Sequence, residues 1–430
     1  MRWCATGPSW CPRSQRVPLP ENAMPMKPAA PAAQALPLAA VLYLALASFA
    51  SALSLRVTDA QLPRLAEELG VTLGNAAYVV TAFSIAYGVS QLFFGPLGDR
   101  HGKYLVVGWA CVACAVTASL CAIAPGYQML LVGRLLAGAT AGAIIPLSMA
   151  WLGDVVPYEQ RQPVLARFLA GQILGLSSGV LVGGFAADYL SWRVPFIGIA
   201  LLFAVIATVL LRINRKLPAS ARIARKSEGP MLRRTLADFG YVLNRPWARV
   251  VLLTVFLEGG FLYGAFAFIA SHLHRVLGMS LSSAGMVVML FGLGGLLFAA
   301  GAKAIVPRLG EHGLALWGGL LLAAALLCIS LAPSVWYALP ACFAAGLGFY
   351  MLHNTLQINA TQMASERRGA AVAAFASCFY LGQSVGVALA GALVERAGTS
   401  TIIALGSVGV LLASYNFSRL RRLRPDVPAA

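Results

Sequence analysis

Acidic residues are scarce in this 430-residue chain: 15 Asp and Glu stand against 32 Lys and Arg, and charged residues of both signs make up only 11%. A soluble domain averages about 25%, so the two or three soluble domains that the length alone would suggest are excluded. Histidine is scarcer still. The five His (101, 272, 274, 312 and 353) are scattered, and the pair in "HLH" at 272–274 has an i,i+2 spacing that does not converge on one helix face. With no nucleophile–base pair and no metal-ligand spacing, neither catalytic residues nor a metal site is expected. The eight cysteines fit that picture. Cys111, Cys114 and Cys121 share one apolar run, while Cys328, Cys342 and Cys378 lie in or beside others, as small packing residues do. A nucleotide-binding motif is also missing, which argues against ATP-driven transport by this chain alone.

What the chain has in abundance is apolar sequence, 59% of all residues. Runs near twenty residues recur at 38–57, 75–97, 104–124, 127–152, 169–187, 194–211, 250–270, 281–302, 314–332, 335–357, 370–393 and 400–418. Each can cross a hydrocarbon core about 30 Å thick. Their continuity, without polar alternation, selects helices over a β-barrel. The expected fold is therefore all-α and membrane-embedded, with twelve spans and both termini on one side. The net charge of +17 follows this topology. Of the 32 Lys and Arg, 26 fall on the side of the termini: four in the N-terminal tail, ten from Arg212 to Arg249, four at the C-terminal end, and eight in short loops. The positive-inside rule makes that side cytoplasmic, and the basic character marks orientation in a cell membrane rather than a nucleic-acid site.

The chain also repeats itself. At an offset of 207, Gly175, Gly179 and Gly184 fall on Gly382, Gly386 and Gly391, and Glu159 and Arg161 on Glu366 and Arg368; at 208, Arg100 and Gly102 meet Arg308 and Gly310. Two six-helix bundles in parallel repeat (37–211 and 250–418) are expected, joined by a basic linker at 212–249 with a short surface helix at "MLRRTLADFGYVL". Residues 1–36, rich in Pro and Ala, read as a disordered tail unlike a signal peptide, with Met24 or Met26 as alternative starts; residues 419–430 form a basic tail.

Between the second and third spans stands "FFGPLGDRHGKY". Gly95, Asp99, Arg100, Gly102 and Lys103 match the pattern G-x3-D-R-x-G-R/K-R/K, departing at Tyr104. On these residues, and on the twelve-span parallel repeat, the chain from Leu38 to Arg419 resembles the major facilitator superfamily, in particular its drug and metabolite:proton antiporters. The resemblance implies transport by alternating access and a cytoplasmic latch, with Asp99 docking at the start of the eleventh span near Gly369 and Ala370. It also implies a proton-coupling role for Arg134, which with Gly138 matches R-x-x-Q-G except for Ala137. Gly175, Gly179, Gly183 and Gly184 match an exporter motif, G-x3-G-P-x2-G-G, whose proline is Val180 here.

Physical reasoning bears on the same residues. A basic side chain at mid-membrane costs ~2.5–3.5 kcal/mol on the insertion scale, and Arg134 lies ~10 Å below the end of its span, so it needs a partner or a watery cavity. Glu258 is the one acid near the middle of a span and can bind and release a proton as access alternates; pairing with a neighbouring helix is its structural alternative. Arg56, beside Asp59, is a second candidate for substrate or ion contact, with local pairing as the default. Glycines 171, 175, 179 and 183 form one face for close packing. On the tenth span Tyr350, His353, Asn354, Gln357 and Thr361 make one polar stripe, suited to substrate contact or to interhelical hydrogen bonds. Tyr380, Gln383 and Ser384, with Tyr87 and Gln91, are weaker candidates of the same kind.

The functional expectation is proton-coupled efflux of a small amphipathic molecule or metabolite by a monomer in the lipid bilayer, with the proton as coupling ion and no cofactor. Uptake of a sugar or organic anion with protons is the alternative within the fold, and a membrane sensor without transport is the alternative outside it.

Overall fold

The computed structural model describes residues 38–222 and 231–423, and side chains 38, 158–163, 220 and 231–234 are not among those described. The expected N-terminal tail, residues 223–230 of the linker, the last seven residues and the side chains of Glu159 and Arg161 lie outside the described set.

Among the described residues the chain is a bundle of helices. Six crossings come first: α1 (Leu38–Arg56), α3 (Leu73–His101), α4 (Lys103–Ala122), the pair α5 (Tyr127–Ala141) and α6 (Ile144–Val155), α7 (Tyr158–Tyr189) and α8 (Val194–Lys216). A short helix, α2 (Leu62–Leu69), follows α1. The linker helix α9 (Met231–Leu243) coincides with the stretch singled out in the sequence. The second six crossings are the pair α10 (Pro246–Phe266) and α11 (Ile269–Leu277), then α12 (Leu281–Leu331), α13 (Val335–Gln362) and α14 (Arg368–Leu423). Helices α12 and α14, of 51 and 56 residues, are each two crossings divided at a non-helical glycine, Gly310 (φ 62°) and Gly398 (φ 77°). Ten apolar stretches thus make twelve crossings. Large apolar side chains face outward along them, such as Leu201 and Trp109, as hydrocarbon solvent allows. The protein is a multi-pass membrane protein whose described ends share one face, here the termini face; the opposite is the far face.

The 208-residue repeat is visible in the turns. Gly70 and Gly278, both left-handed, terminate α2 and α11. Thr72 and Ser280 cap α3 and α12, accepting hydrogen bonds from Asn75 N and Ser283 N. Gly102 and Gly310 reverse the chain at positive φ on the termini face. Apolar side chains gather in two large clusters, one mostly from residues before 222, around Phe83, Phe168 and Trp192, the other mostly from residues after 241, around Phe291, Phe349 and Phe375.

Within each cluster the helices touch backbone to backbone. A Cβ on Gly171, Gly175, Gly179 or Gly183 of α7 would overlap, in turn, the carbonyl oxygens of Ala45, Phe49 and Leu53 on α1 and of Val57 just after it. The contact recurs 207 residues on, where Gly382 and Gly386 of α14 meet the carbonyls of Phe256 and Gly260 on α10. Without a hydrophobic drive between helices in lipid, such dispersion contacts hold the bundle. A methyl group there forces backbone apart: Gly175→Ala and Gly382→Ala are each expected to cost about 1–3 kcal/mol, whereas Gly198→Ala, whose Cβ meets nothing within 4 Å, should be neutral. Thermal unfolding of the purified protein in detergent checks the contrast.

Candidate functional site

The halves meet at the far face and part toward the termini face. At the far face Gly74 N donates to Glu395 Oε1 (3.2 Å), and Leu281 N and Ser282 N donate to Asp188 (3.2 and 2.6 Å). Midway, Ser377 Oγ donates to the Gly88 carbonyl (2.8 Å), and the Tyr87 and Tyr380 rings lie 4.4 Å apart. Further toward the termini, a Cβ on Gly95 or Gly369 would meet nothing within 4 Å. The cleft between the halves therefore opens on the termini face.

Two groups of buried polar residues lie along it. The first is built on α10, where Gly259, Gly260 and Gly264 let α14 approach closely and Glu258 is fully buried. Glu258 Oε2 lies 2.9 Å from His353 Nδ1 on α13, and its Oε1 has no hydrogen-bond partner. The imidazole sits among Phe349, Phe375 and Phe379, at centroid distances of 5.0, 5.4 and 4.7 Å. Its side chain is 18% exposed while that of Glu258 is 0% exposed. The pair thus runs from a dry interior to a partly open surface. With Nδ1–H donating to the carboxylate, the other ring nitrogen is left as an acceptor among the three rings. Tyr350, Asn354, Gln357 and Thr361 continue the half-buried stripe on α13.

The second group centres on Arg56, the last residue of α1. Its Nη1 meets Asp59 Oδ2 at 3.3 Å, its Nη2 donates to Gln383 Oε1 on α14 at 2.9 Å, and its guanidinium carbon lies 3.8 Å from the Tyr263 ring centroid. Gln383 Nε2 donates in turn to Ser84 Oγ at 2.5 Å, so one amide joins α1 and α3 to the opposite half. Burial pushes the Asp59 carboxyl up to about 6 despite the adjacent guanidinium, and Asp59 Oδ1 has no partner. Arg56, Ser177, Tyr263, Phe266, Phe291 and Tyr350 border a small pocket between the halves. Phe349 and Phe379 pack against both Tyr263 and His353, so the two groups share an aromatic wall.

Arg134 hydrogen-bonds to no side chain of either group, though its charge acts on Arg56 and Asp59. Its Nε, Nη1 and Nη2 donate to the carbonyls of Val79, Ser54 and Leu55 (3.2, 2.8 and 3.4 Å), and Phe83 covers it at 4.3 Å. Two of those carbonyls belong to the last turn of α1, where the helix dipole is negative. Arg134 and Glu258 share no partner. Asp99 also departs from expectation. The dock at Gly369 and Ala370 is not formed, because the termini face is open; Asp99 Oδ1 instead meets Lys103 Nζ at 3.4 Å, and Lys103 reaches Asp154 at 2.5 Å. Arg100 is exposed, and Gln91 is buried on α3.

Residues 44–387 match the family model of the Major Facilitator Superfamily. This chain belongs to that superfamily. It is 23% identical over 338 residues to the uncharacterized MFS-type transporter YceJ of Bacillus subtilis (strain 168), covering 78% of this chain and 84% of that protein. Over 178 residues it is 29% identical to the multidrug export protein EmrB of Escherichia coli (strain K12), 40% of this chain and 35% of EmrB. The fatty acid resistance protein FarB of Neisseria gonorrhoeae is 32% identical over 151 residues, 35% of this chain and 30% of FarB. A POT family transporter solved with a thioalcohol-conjugated peptide has the same fold: TM-score 0.75, 13% identity, 89% of this chain and 96% of that one.

Against the superfamily's patterns, two of the three departures have packing explanations. Tyr104, in place of a basic residue, is buried with its ring 4.7 Å from Trp151. Val180, in place of proline, is buried and packs its side chain into the apolar cluster of the second half. Nothing in the structure explains Ala137. Sequence reasoning singled out Glu258 and His353 separately but missed their pairing. It also missed Glu311, which accepts from Asn359 Nδ2 and Arg421 Nε (both 2.8 Å) on the termini face; the Gly102/Gly310 repeat places it opposite Lys103, the one signal available.

Removing one member of the buried Arg56–Asp59 pair strands the other. Arg56→Leu is expected to cost about 3–5 kcal/mol, and Arg56→Leu/Asp59→Leu to recover most of it, as read by thermal unfolding.

Proposed function

We propose that this transporter exports a small amphipathic molecule in exchange for protons, by alternating access. The observation that carries this reading is the fully buried Glu258 joined to His353, a titratable residue at the edge of the cleft. A carboxylate with one titratable partner can take up a proton without rearranging a larger network, and its neutral form is at ease in the apolar surroundings. The pocket beside it, mostly apolar with a few polar groups, suits an amphipath. The likeness to EmrB and FarB supports the outward direction.

The termini face is cytoplasmic in this reading, on the bias of Lys and Arg to that side, in the plasma or inner membrane. The cleft is then open inward, ready for a molecule from the cytoplasm. Asp99 and Arg100 belong to the state in which that face closes. Arg134 holds α1 to α3 and α5, so that Arg56 is presented to the cleft, and its part in coupling is to fix that geometry. A second reading, proton-linked uptake of an organic anion, is favoured by one observation: the Arg56 guanidinium borders the pocket.

In everted vesicles, an imposed pH gradient should drive accumulation of the exported molecule, and Glu258→Gln should reduce it tenfold or more while exchange of substrate without a gradient persists. Gradient-driven accumulation that survives Glu258→Gln overturns the coupling assignment, and loss of substrate from such vesicles along the proton gradient selects uptake. Asp99→Asn should slow turnover severalfold with substrate affinity unchanged; a change confined to affinity places Asp99 in the binding site instead.

A further inference from the structure

The far face is closed by contacts that repeat about a pseudo-twofold axis. On one side, Asp188 near the end of α7 accepts from Leu281 N and Ser282 N, the first two amides of α12 in the opposite half. On the other, Glu395 accepts from Gly74 N, the second amide of α3, also across the halves. Asp188 and Glu395 are 207 residues apart, as are Gly74 and Leu281. Four residues before each acid a glycine supplies the approach: a Cβ on Gly184 would overlap the Leu281 carbonyl, and one on Gly391 the Gly74 carbonyl.

The chemistry of each contact is that of a helix cap shared between two bodies. The first amides of a helix have no partner within it and carry the positive end of its dipole. The third amide of each helix is already taken by its own cap, Ser280 or Thr72. What is left over is met by a carboxylate from the other half, and only while the halves touch at this face. Each half supplies one acid and one helix start, so the halves are joined on both flanks of the cleft.

We propose that Asp188 and Glu395 are paired latches that hold the far face shut and set how often the transporter opens outward. The proposal rests on the alternating-access reading above. The latches add differential free energy to one of two states, so removing them shifts the population without touching the pocket. Both acids are partly solvated, which places each in the range of a surface dipole contact: about a threefold shift for each and roughly tenfold for both.

The test uses the full chain with its eight cysteines replaced and Ser177→Cys, at the pocket, as reporter. A membrane-impermeant maleimide is applied to intact cells and to inverted vesicles. Asp188→Ala and Glu395→Ala should each raise the labelling rate from outside about threefold, and together roughly tenfold, with labelling from the cytoplasmic side falling in step. Glu67→Ala, which breaks a contact to Arg64 within α2, should change neither. Where an alanine variant fails to fold, Asp188→Asn and Glu395→Gln, which keep an acceptor but lose the charge, should move both rates in the same directions by a smaller factor. Unchanged rates in the folded double variant overturn the proposal, as does a rise on both sides, which reports general loosening. Reciprocal changes with the two preparations exchanged support the latch and overturn the assigned orientation.

Discussion

The structure depends on two seams where helices meet without side chains between them. Along α1 and α7, four glycines in steps of four rest on four carbonyls in steps of four. Tilting either helix would drive backbone into backbone, so the two can move only together. The equivalent seam between α10 and α14 binds the second half in the same way. Motion is thereby confined to the boundary between halves, where α3 faces α14 and α7 faces α12. The fifth-span glycine motif then divides by geometry. Gly175, Gly179 and Gly183 serve the seam, and Gly184 alone turns toward the opposite half. A motif read from sequence as a sign of antiport is, for three of its four glycines, a packing device.

Buried charge is rationed accordingly. Arg134 has the more restrictive surroundings: three carbonyls and an aromatic face leave it nothing to exchange, and its fixed charge finishes α1. Arg56 is held by Asp59 in its own half but by Gln383 in the other, so any separation of α1 from α14 removes one of its partners. Glu258 has one hydrogen-bonding partner, the His353 side chain. Of the three, it is the one held by a single side chain of another helix. Burial alone would rank these residues equally; the nature of their partners separates them.

Most of the fold was legible because a bilayer imposes a length on every span and an offset of 207–208 residues imposes itself on every turn. Boundaries slipped where helices ran on past the apolar core: α7 begins at Tyr158, well before the apolar run at 169, because a polar start costs nothing outside the hydrocarbon. The breaks within the fourth and seventh crossings left no apolar gap to notice. The site was half legible. An acid at mid-span is conspicuous, but its pairing with a histidine 95 residues away depends on how α10 and α13 face each other. The partners of Arg134 are carbonyls, which every residue has and no sequence marks. Asp188 and Glu395 obey the same offset as the glycines, yet acids at the ends of spans are ordinary, and only their position across the halves sets them apart.

The two faces differ in where their charges pair. On the termini face, Lys103 meets Asp154, Arg245 meets Glu366 and Arg421 meets Glu311, each within one half or beside its own linker. On the far face, carboxylates pair across the halves. This is what a state open on the termini face requires: contacts that would join the halves at the open face must be parked elsewhere without being lost. Lys103 shows how. Its shorter contact is with Asp154 at 2.5 Å, and Asp99, at 3.4 Å and half exposed, is the weaker partner. Loss of the Asp99 contact would not strand the lysine, since Asp154 keeps it compensated. Asp99 is thus the acid that Lys103 can spare.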